Sequence, residues 1–253
     1  MPDLSGKHGL VVGVANKRSI SWAIAQAAAT AGARLALTYQ GERLEENVRE
    51  LAAKLEQPLV VPCDVASDQQ IADLAASLDR EFGGLDFFVH GAAFAPQAEL
   101  SNPFVQTSRE GFRIALDISA YSLIALTRAL VPLLERRGGG SILTLTYLGS
   151  QRVFTNYNVM GVAKAALESC VRYLASDLGP RNIRVNSINP GVVDTEGARA
   201  MDSYDQVANA IKALTPLGRT GMPEDIGLIA AFLASDEARW LTGEIIFGSG
   251  GLR

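Results

Sequence analysis

Apolar positions along the chain fall into two kinds of segment that alternate from the amino terminus onward. Short aliphatic and β-branched runs at 9–13, 34–38, 59–62, 85–90, 140–147, 183–188 and 243–247 read as strands. Between them, segments at 20–31, 44–55, 69–82, 109–135 and 157–178 repeat apolar residues at helical intervals. The strand runs are apolar throughout rather than alternating, as expected when helices cover both faces of a parallel sheet. The pattern predicts an α/β, Rossmann-type doubly wound parallel sheet of seven strands, with helices on both faces and a single domain over 1–253. Residues 196–214 read as an Ala-rich helical insertion before a late helix. That segment suits a mobile flap over a pocket and equally a plain connecting helix.

Composition narrows the classes of function. A length of 253 residues fits one α/β domain with a large core, and a net charge of −4 supplies no basic surface for nucleic acid or anionic lipid. Residues 1–7 run straight into the first strand without an apolar signal core, and no later apolar run approaches membrane-spanning length. The expectation is a soluble, cytoplasmic protein with no nucleic-acid and no membrane partner. Cys63 and Cys170 are too few and too far apart for a disulfide framework or a metal cluster, so they read as small core residues. His90 reads as structural, and no metal-ligand spacing occurs.

Three polar groups in the second half of the chain carry the candidate chemistry: Tyr147, Tyr157 and Lys164. A phenol is neutral at pH 7 and can donate a hydrogen bond to a developing oxyanion. An ammonium seven residues beyond Tyr157 lies two helical turns away on nearly the same face. That pairing suits carbonyl or enolate chemistry.

The strand ends of the first half supply a second group. After the first strand comes the run 13–20, Gly-Val-Ala-Asn-Lys-Arg-Ser-Ile, a turn leading into a helix whose free N–H groups can hold a pyrophosphate. The full G-x-G-x-x-G fingerprint is absent, but the position at the carboxyl end of the first strand is the one a dinucleotide uses. Gln40 follows the second strand, Asp64 and Val65 the third, and Gly91 and Ala92 the fourth, so all converge on one crevice. Gln40 can bond ribose hydroxyls without charge, and no Arg-Lys pair follows it to grip a 2′-phosphate, although Arg43 is near. NADH is favoured over NADPH.

With these residues assembled, the chain resembles the short-chain dehydrogenase/reductase family, and within it the bacterial enoyl-acyl-carrier-protein reductases of the FabI type. The most specific stretches are 143–149, Leu-Thr-Leu-Thr-Tyr-Leu-Gly, and 156–165, Asn-Tyr-Asn-Val-Met-Gly-Val-Ala-Lys-Ala. The Tyr-to-Lys spacing of seven matches the enoyl reductases, whereas ordinary short-chain reductases have four. The resemblance implies that Gly13, Ser19 and Ile20 meet the cofactor phosphates, Gln40 the adenine-side ribose, Asp64 and Val65 the adenine, and Gly91 and Ala92 the adenosine wall. It further implies that Lys164 binds the nicotinamide ribose, that Val193 and Thr195 contact the carboxamide and phosphates, and that Tyr157 donates to the thioester carbonyl while Tyr147 lines the acyl pocket. The implied substrate is an acyl thioester on a carrier protein or CoA, and the implied assembly is a homotetramer.

The sequence also departs from that pattern. After the sixth strand the FabI pattern reads Ala-Gly-Pro-Ile-Arg-Thr, whereas here Asp194 stands where the family carries Arg, so a contact that depended on that cation is expected to be lost or reversed. The stretch 201–206, Met-Asp-Ser-Tyr-Asp-Gln, is acidic to neutral where the family presents basic side chains to an acidic carrier; Arg199 and Lys212 are alternative docking cations. Ser249 takes the place of an Asp before the final glycine pair, and a cap formed by a longer tail is not expected. Carbonyl or alcohol redox by a small-substrate dehydrogenase, and a non-enzymatic NAD sensor, remain alternatives on the same fold.

Overall fold

Each of the seven apolar runs forms a strand. In the computed structural model, which describes residues 2–199 and 204–252, these are β1 (His8–Val12), β2 (Arg34–Tyr39), β3 (Leu59–Pro62), β4 (Phe87–His90), β5 (Gly140–Leu145), β6 (Ile183–Asn189) and β7 (Ile245–Phe247). The sheet order is β3-β2-β1-β4-β5-β6-β7, with every neighbouring pair parallel. The order reverses between β1 and β4, which opens a crevice at their carboxyl ends.

Helices cover both faces, as the uninterrupted apolarity of the strands requires. On one face lie α1 (Ile20–Thr30), α2 (Glu42–Ala52) and α10 (Pro223–Ala234), which bury Trp22, Ile24, Val48, Leu51, Ile226 and Leu233 against the sheet. On the other lie α3 (Asp68–Phe82), α6 (Ser122–Arg136) and α7 (Asn158–Leu178), with Leu74, Leu78, Leu126, Leu130, Leu167 and Val171 inward. Side-chain caps set where several helices begin: Ser19 accepts from the Trp22 N–H at 3.2 Å, and Ser67 from the Gln70 N–H at 3.3 Å. Short helices α4 (Gln97–Ser101), α8 (Glu196–Arg199) and α9 (Tyr204–Leu214) complete the order.

The structure refines three expectations. The helix expected over 109–135 is α5 (Arg109–Leu116) and α6 joined by a π-helical turn, Asp117–Tyr121. This turn lets Ser119 and Ser122 both face the end of β4: Ser119 exchanges hydrogen bonds with the Phe94 backbone at 2.9 and 3.0 Å, and Ser122 lies 2.7 Å from the His90 ring. Contrary to the expectation of no such run, Arg109–Arg136 is 28 residues long and apolar enough to cross a membrane by length and composition. Over half of its most apolar window, 56 %, is buried within the protein, so packing against the sheet accounts for its apolar face. The segment 196–214 is split into α8 and α9, and residues 200–203 lie outside the described residues.

Candidate active site

The adenosine end of the crevice is shaped by missing side chains. Gly13 adopts φ +87°, the left-handed region, and a Cβ there would stand 2.7 Å from the Gly91 carbonyl oxygen. A Cβ on Gly91 would overlap the Ser21 hydroxyl and lie 2.5 Å from the Val12 carbonyl oxygen. The two bare glycines therefore let the backbone at the ends of β1 and β4 pack closely beside the crevice. The resulting pocket, about 300 Å³, is lined by Gly13, Gln40, Cys63, Val65, Gly91 and Ala92 among others. Its lining is uncharged, with Thr38 and the Gln40 amide among the polar groups.

Of the other expected cofactor residues, Ser19, Ile20, Asp64, Val193 and Thr195 lie at strand ends and helix starts rather than in the lining of this pocket. Ser19 caps α1, so Ser19 and Ile20 sit at a helix amino terminus suited to a pyrophosphate. Asp64 shapes the turn after β3, accepting from the Ala66 N–H at 3.0 Å while its own N–H donates to Gln70 at 2.8 Å. Val193 and Thr195 follow β6; Val193 is buried and bridges to Gly221, whose N–H is bonded to Val192. Among the described residues no group of three His, Cys, Asp or Glu could hold a metal ion.

The catalytic candidates meet at the other end. The rings of Tyr147 and Tyr157 approach edge to face, centroids 4.9 Å apart at 62°, and Phe154 packs on Tyr147 at 5.3 Å. Gly149 permits this: a Cβ there would overlap the Tyr157 ring and lie 3.2 Å from that of Tyr147. Tyr157 is the residue before α7 rather than its first helical residue, and it is flanked by Asn156 and Asn158, both at positive φ (62° and 36°). Asn158 anchors this strained entry by donating to the carbonyls of Leu100 (3.1 Å) and Asn102 (2.8 Å). Burial pushes the Tyr157 phenol well above the ordinary tyrosine range, with a smaller push from Tyr147, and burial raises Tyr147 too. Both are held protonated at neutral pH, the state in which a phenol donates.

Lys164 is buried and donates to the Leu145 carbonyl at 2.7 Å. Desolvation lowers it to about 8, with Glu168 pulling the other way. His90, beside this centre, is structural as expected: its ring nitrogens meet Thr144 Oγ1 at 2.9 Å and Ser122 Oγ at 2.7 Å, and burial lowers it to about 3, so it stays neutral.

Asp194 is paired rather than bare: its carboxylate meets Arg18 at 3.5 Å and Arg199 at 2.5 and 2.6 Å, so two arginines offset its charge. The stretch 201–203, on which the acidic-flap reading partly rests, lies outside the described residues. Glu168, which accepts from Thr146 Oγ1 and Ser150 Oγ, and Ser119, which fixes the wall after β4, were not anticipated. A carboxylate four residues beyond Lys164, on the same helix face, was the available signal for the first.

Comparison with known proteins agrees with this geometry. The family described as Enoyl-(Acyl carrier protein) reductase matches residues 13–253. The FabI enoyl-[acyl-carrier-protein] reductase [NADH] of Bacillus subtilis is 48% identical over 243 residues, covering 95% of this chain and 93% of that protein; the Aquifex aeolicus protein of the same name is 47% identical, covering 96% and 90%. The Bacillus cereus enoyl-acyl carrier protein reductase, solved with NADP+ and indole naphthyridinone, superposes with a TM-score of 0.96 at 47% identity, covering 99% of this chain and 98% of that one. An Anaplasma phagocytophilum reductase in complex with NAD gives 0.95 at 41% identity, covering 100% and 96%. With its crevice, its paired phenols and its buried ammonium in the places described, the chain belongs to the FabI-type enoyl-acyl-carrier-protein reductases of the short-chain dehydrogenase/reductase family.

Proposed function

We propose that the chain acts as an NADH-dependent enoyl-thioester reductase of fatty acid biosynthesis, in which Tyr157, Lys164 and Tyr147 carry the chemistry. The observation that carries this reading is the edge contact of two half-buried, protonated phenols, with a buried ammonium farther along α7 bonded to the end of β5. When bound, the cofactor supplies a hydride for the β-carbon of an α,β-unsaturated thioester. Negative charge then gathers on the thioester oxygen as an enolate, and Tyr157 donates a hydrogen bond to it. Lys164 holds the ribose hydroxyls and keeps positive charge near the oxyanion, while the Leu145 carbonyl fixes its reach. Tyr147 packs against Tyr157 and walls the acyl pocket. Gly13, Ser19, Ile20, Gln40, Asp64, Val65, Gly91, Ala92, Val193 and Thr195 hold the cofactor, and the uncharged Gln40 favours NADH over NADPH.

The substrate is an acyl thioester on carrier protein, with CoA thioesters as surrogates. Residues 196–199 and 204–214 serve as a flap over the acyl pocket, tied to the cofactor side through Arg199 and Asp194, with the exposed Lys212 available to an acidic carrier. The enzyme works in the cytoplasm as a homotetramer. Supporting the assembly, Phe112, Tyr121 and Tyr173 on the α5–α7 side and Leu228, Phe232 and Trp240 beside the β7 edge are all exposed apolar side chains of the kind subunit contacts cover.

The test is NADH consumption by the purified protein on adding crotonyl-CoA or an enoyl carrier-protein substrate, with light scattering to weigh the assembly. Turnover with a mass near four times 26.9 kDa is the expected outcome. Silence on both thioesters together with NAD-dependent oxidation of secondary alcohols would replace this reading with carbonyl redox.

A further inference from the structure

We propose that Glu168 is a positioning residue of this reductase: one carboxylate oxygen pins the chain on both sides of Tyr147 to α7 and sets a negative charge one helical turn from the Lys164 ammonium. The proposal rests on the reading of Tyr147, Tyr157 and Lys164 as the catalytic centre.

Glu168 is 6 % exposed and makes no ion pair within 4.0 Å among the described residues. Its Oε1 instead accepts two hydroxyls, Thr146 Oγ1 at 2.7 Å and Ser150 Oγ at 2.6 Å. A carboxylate can only accept, so both hydroxyls donate. Thr146 is the residue before Tyr147, and Ser150 ends the short turn Leu148–Ser150 after it. Lys164 Nζ donates to the carbonyl of Leu145, just upstream. Thus Lys164 and Glu168, on one face of α7, hold residues 145, 146 and 150, and the Tyr147 ring is aimed at Tyr157 between these anchors.

A neutral side chain would suffice if the link were only structural, because a buried carboxylate bears a desolvation cost that an amide avoids. The charge has a use beside Lys164, whose ammonium burial disfavours. Other titratable groups on the surrounding elements do not serve. His90 on β4 is neutral above about 3, and the phenols of Tyr147 and Tyr157 are held protonated. Asp117 in the π turn pairs with Arg113 at 3.7 Å, and Arg184 lies near the opposite end of β6. Glu168 therefore keeps Lys164 charged to higher pH than burial alone would allow.

Two variants separate the charge from the link. Glu168→Gln keeps an oxygen for both hydroxyls and removes the charge; the alkaline limb of its kcat/KM profile for crotonyl-CoA should move down by about one pH unit, with little loss below it. Thr146→Val with Ser150→Ala keeps the charge and removes the link; kcat should fall about tenfold with the limb unmoved and the NADH KM within about twofold. A wild-type profile for Glu168→Gln, or wild-type kcat for the double variant, overturns the proposal. If Glu168→Gln does not fold, the double variant decides alone by the same criterion. Tyr157→Phe, run beside them, tells the two readings apart: full turnover there sinks the catalytic assignment itself, whereas its loss alongside unaffected Glu168 and Thr146/Ser150 variants sinks only the role of Glu168.

Discussion

The two ends of the crevice are built from opposite materials. At the Gly13 end, bare glycines let the backbone after β1 and β4 pack closely, and the pocket's form depends on that close approach. At the proposed catalytic end, the site is a set of functional groups: two phenols in edge contact and an ammonium bonded to a carbonyl. The first should therefore fail when an atom is added, and the second when an atom is taken away with shape preserved.

Variants at each end put that contrast to the test. The largest effect is expected at Tyr157→Phe, which keeps the ring and removes the donor: kcat should drop by about 10² to 10³, or about 3 to 4 kcal/mol, with NADH affinity unchanged. Steady-state kinetics with an NADH titration would check it, and a large loss of affinity would blur the distinction between the two ends. Gly91→Ala should give the converse signature. Its new methyl overlaps Ser21 and crowds the Val12 carbonyl, so NADH affinity should fall by about tenfold and stability by about 1 to 3 kcal/mol, while turnover at saturating NADH persists. Thermal melting with and without NADH reads both parts.

Smaller effects probe the electrostatics. Lys164 is lowered to about 8 by burial, and in the proposed role its charged form is the competent one. Activity should hold below that pH and decline by about tenfold per unit above it, as the ammonium is lost. A pH profile flat to the ordinary lysine range would break the assignment. Smallest of all, Gln40→Ala removes one neutral hydrogen-bonding side chain, worth about 1 kcal/mol, and should raise the NADH KM about fivefold with kcat intact.

The same contrast explains what could be read from the sequence. Tyr147, Tyr157 and Lys164 are legible because reactive side chains at a fixed helical spacing are rare, and the strands are legible because a sheet covered on both faces must be apolar throughout. The pocket beside Gly13 and Gly91 was legible only through position, since a bare glycine says little until folding shows which backbone it packs against. The late helix α10 left its bounds unread: the run Ile226-Gly227-Leu228-Ile229-Ala230-Ala231-Phe232-Leu233 is apolar on nearly every side and offers no clear period. Glu168 reads in sequence as one more helix-surface charge, and only the return of the β5 end to α7 buries it. Likewise Asp194 looked like the loss of a cation because Arg18 lies 176 residues away in sequence, a contact that only folding makes.

The π turn at Asp117–Tyr121 constrains the chain in length rather than in composition. Each residue advances an α-helix by about 100°, so one residue more or fewer rotates everything that follows as a rigid screw. Removing a single residue there would swing Ser122 away from His90 and carry Leu123, Leu126 and Leu130 off the sheet together. Substitutions at the half-exposed Tyr121 can be absorbed locally, but a one-residue deletion would mis-clock half of a long core helix. Selection on this stretch should therefore count residues more strictly than it chooses them.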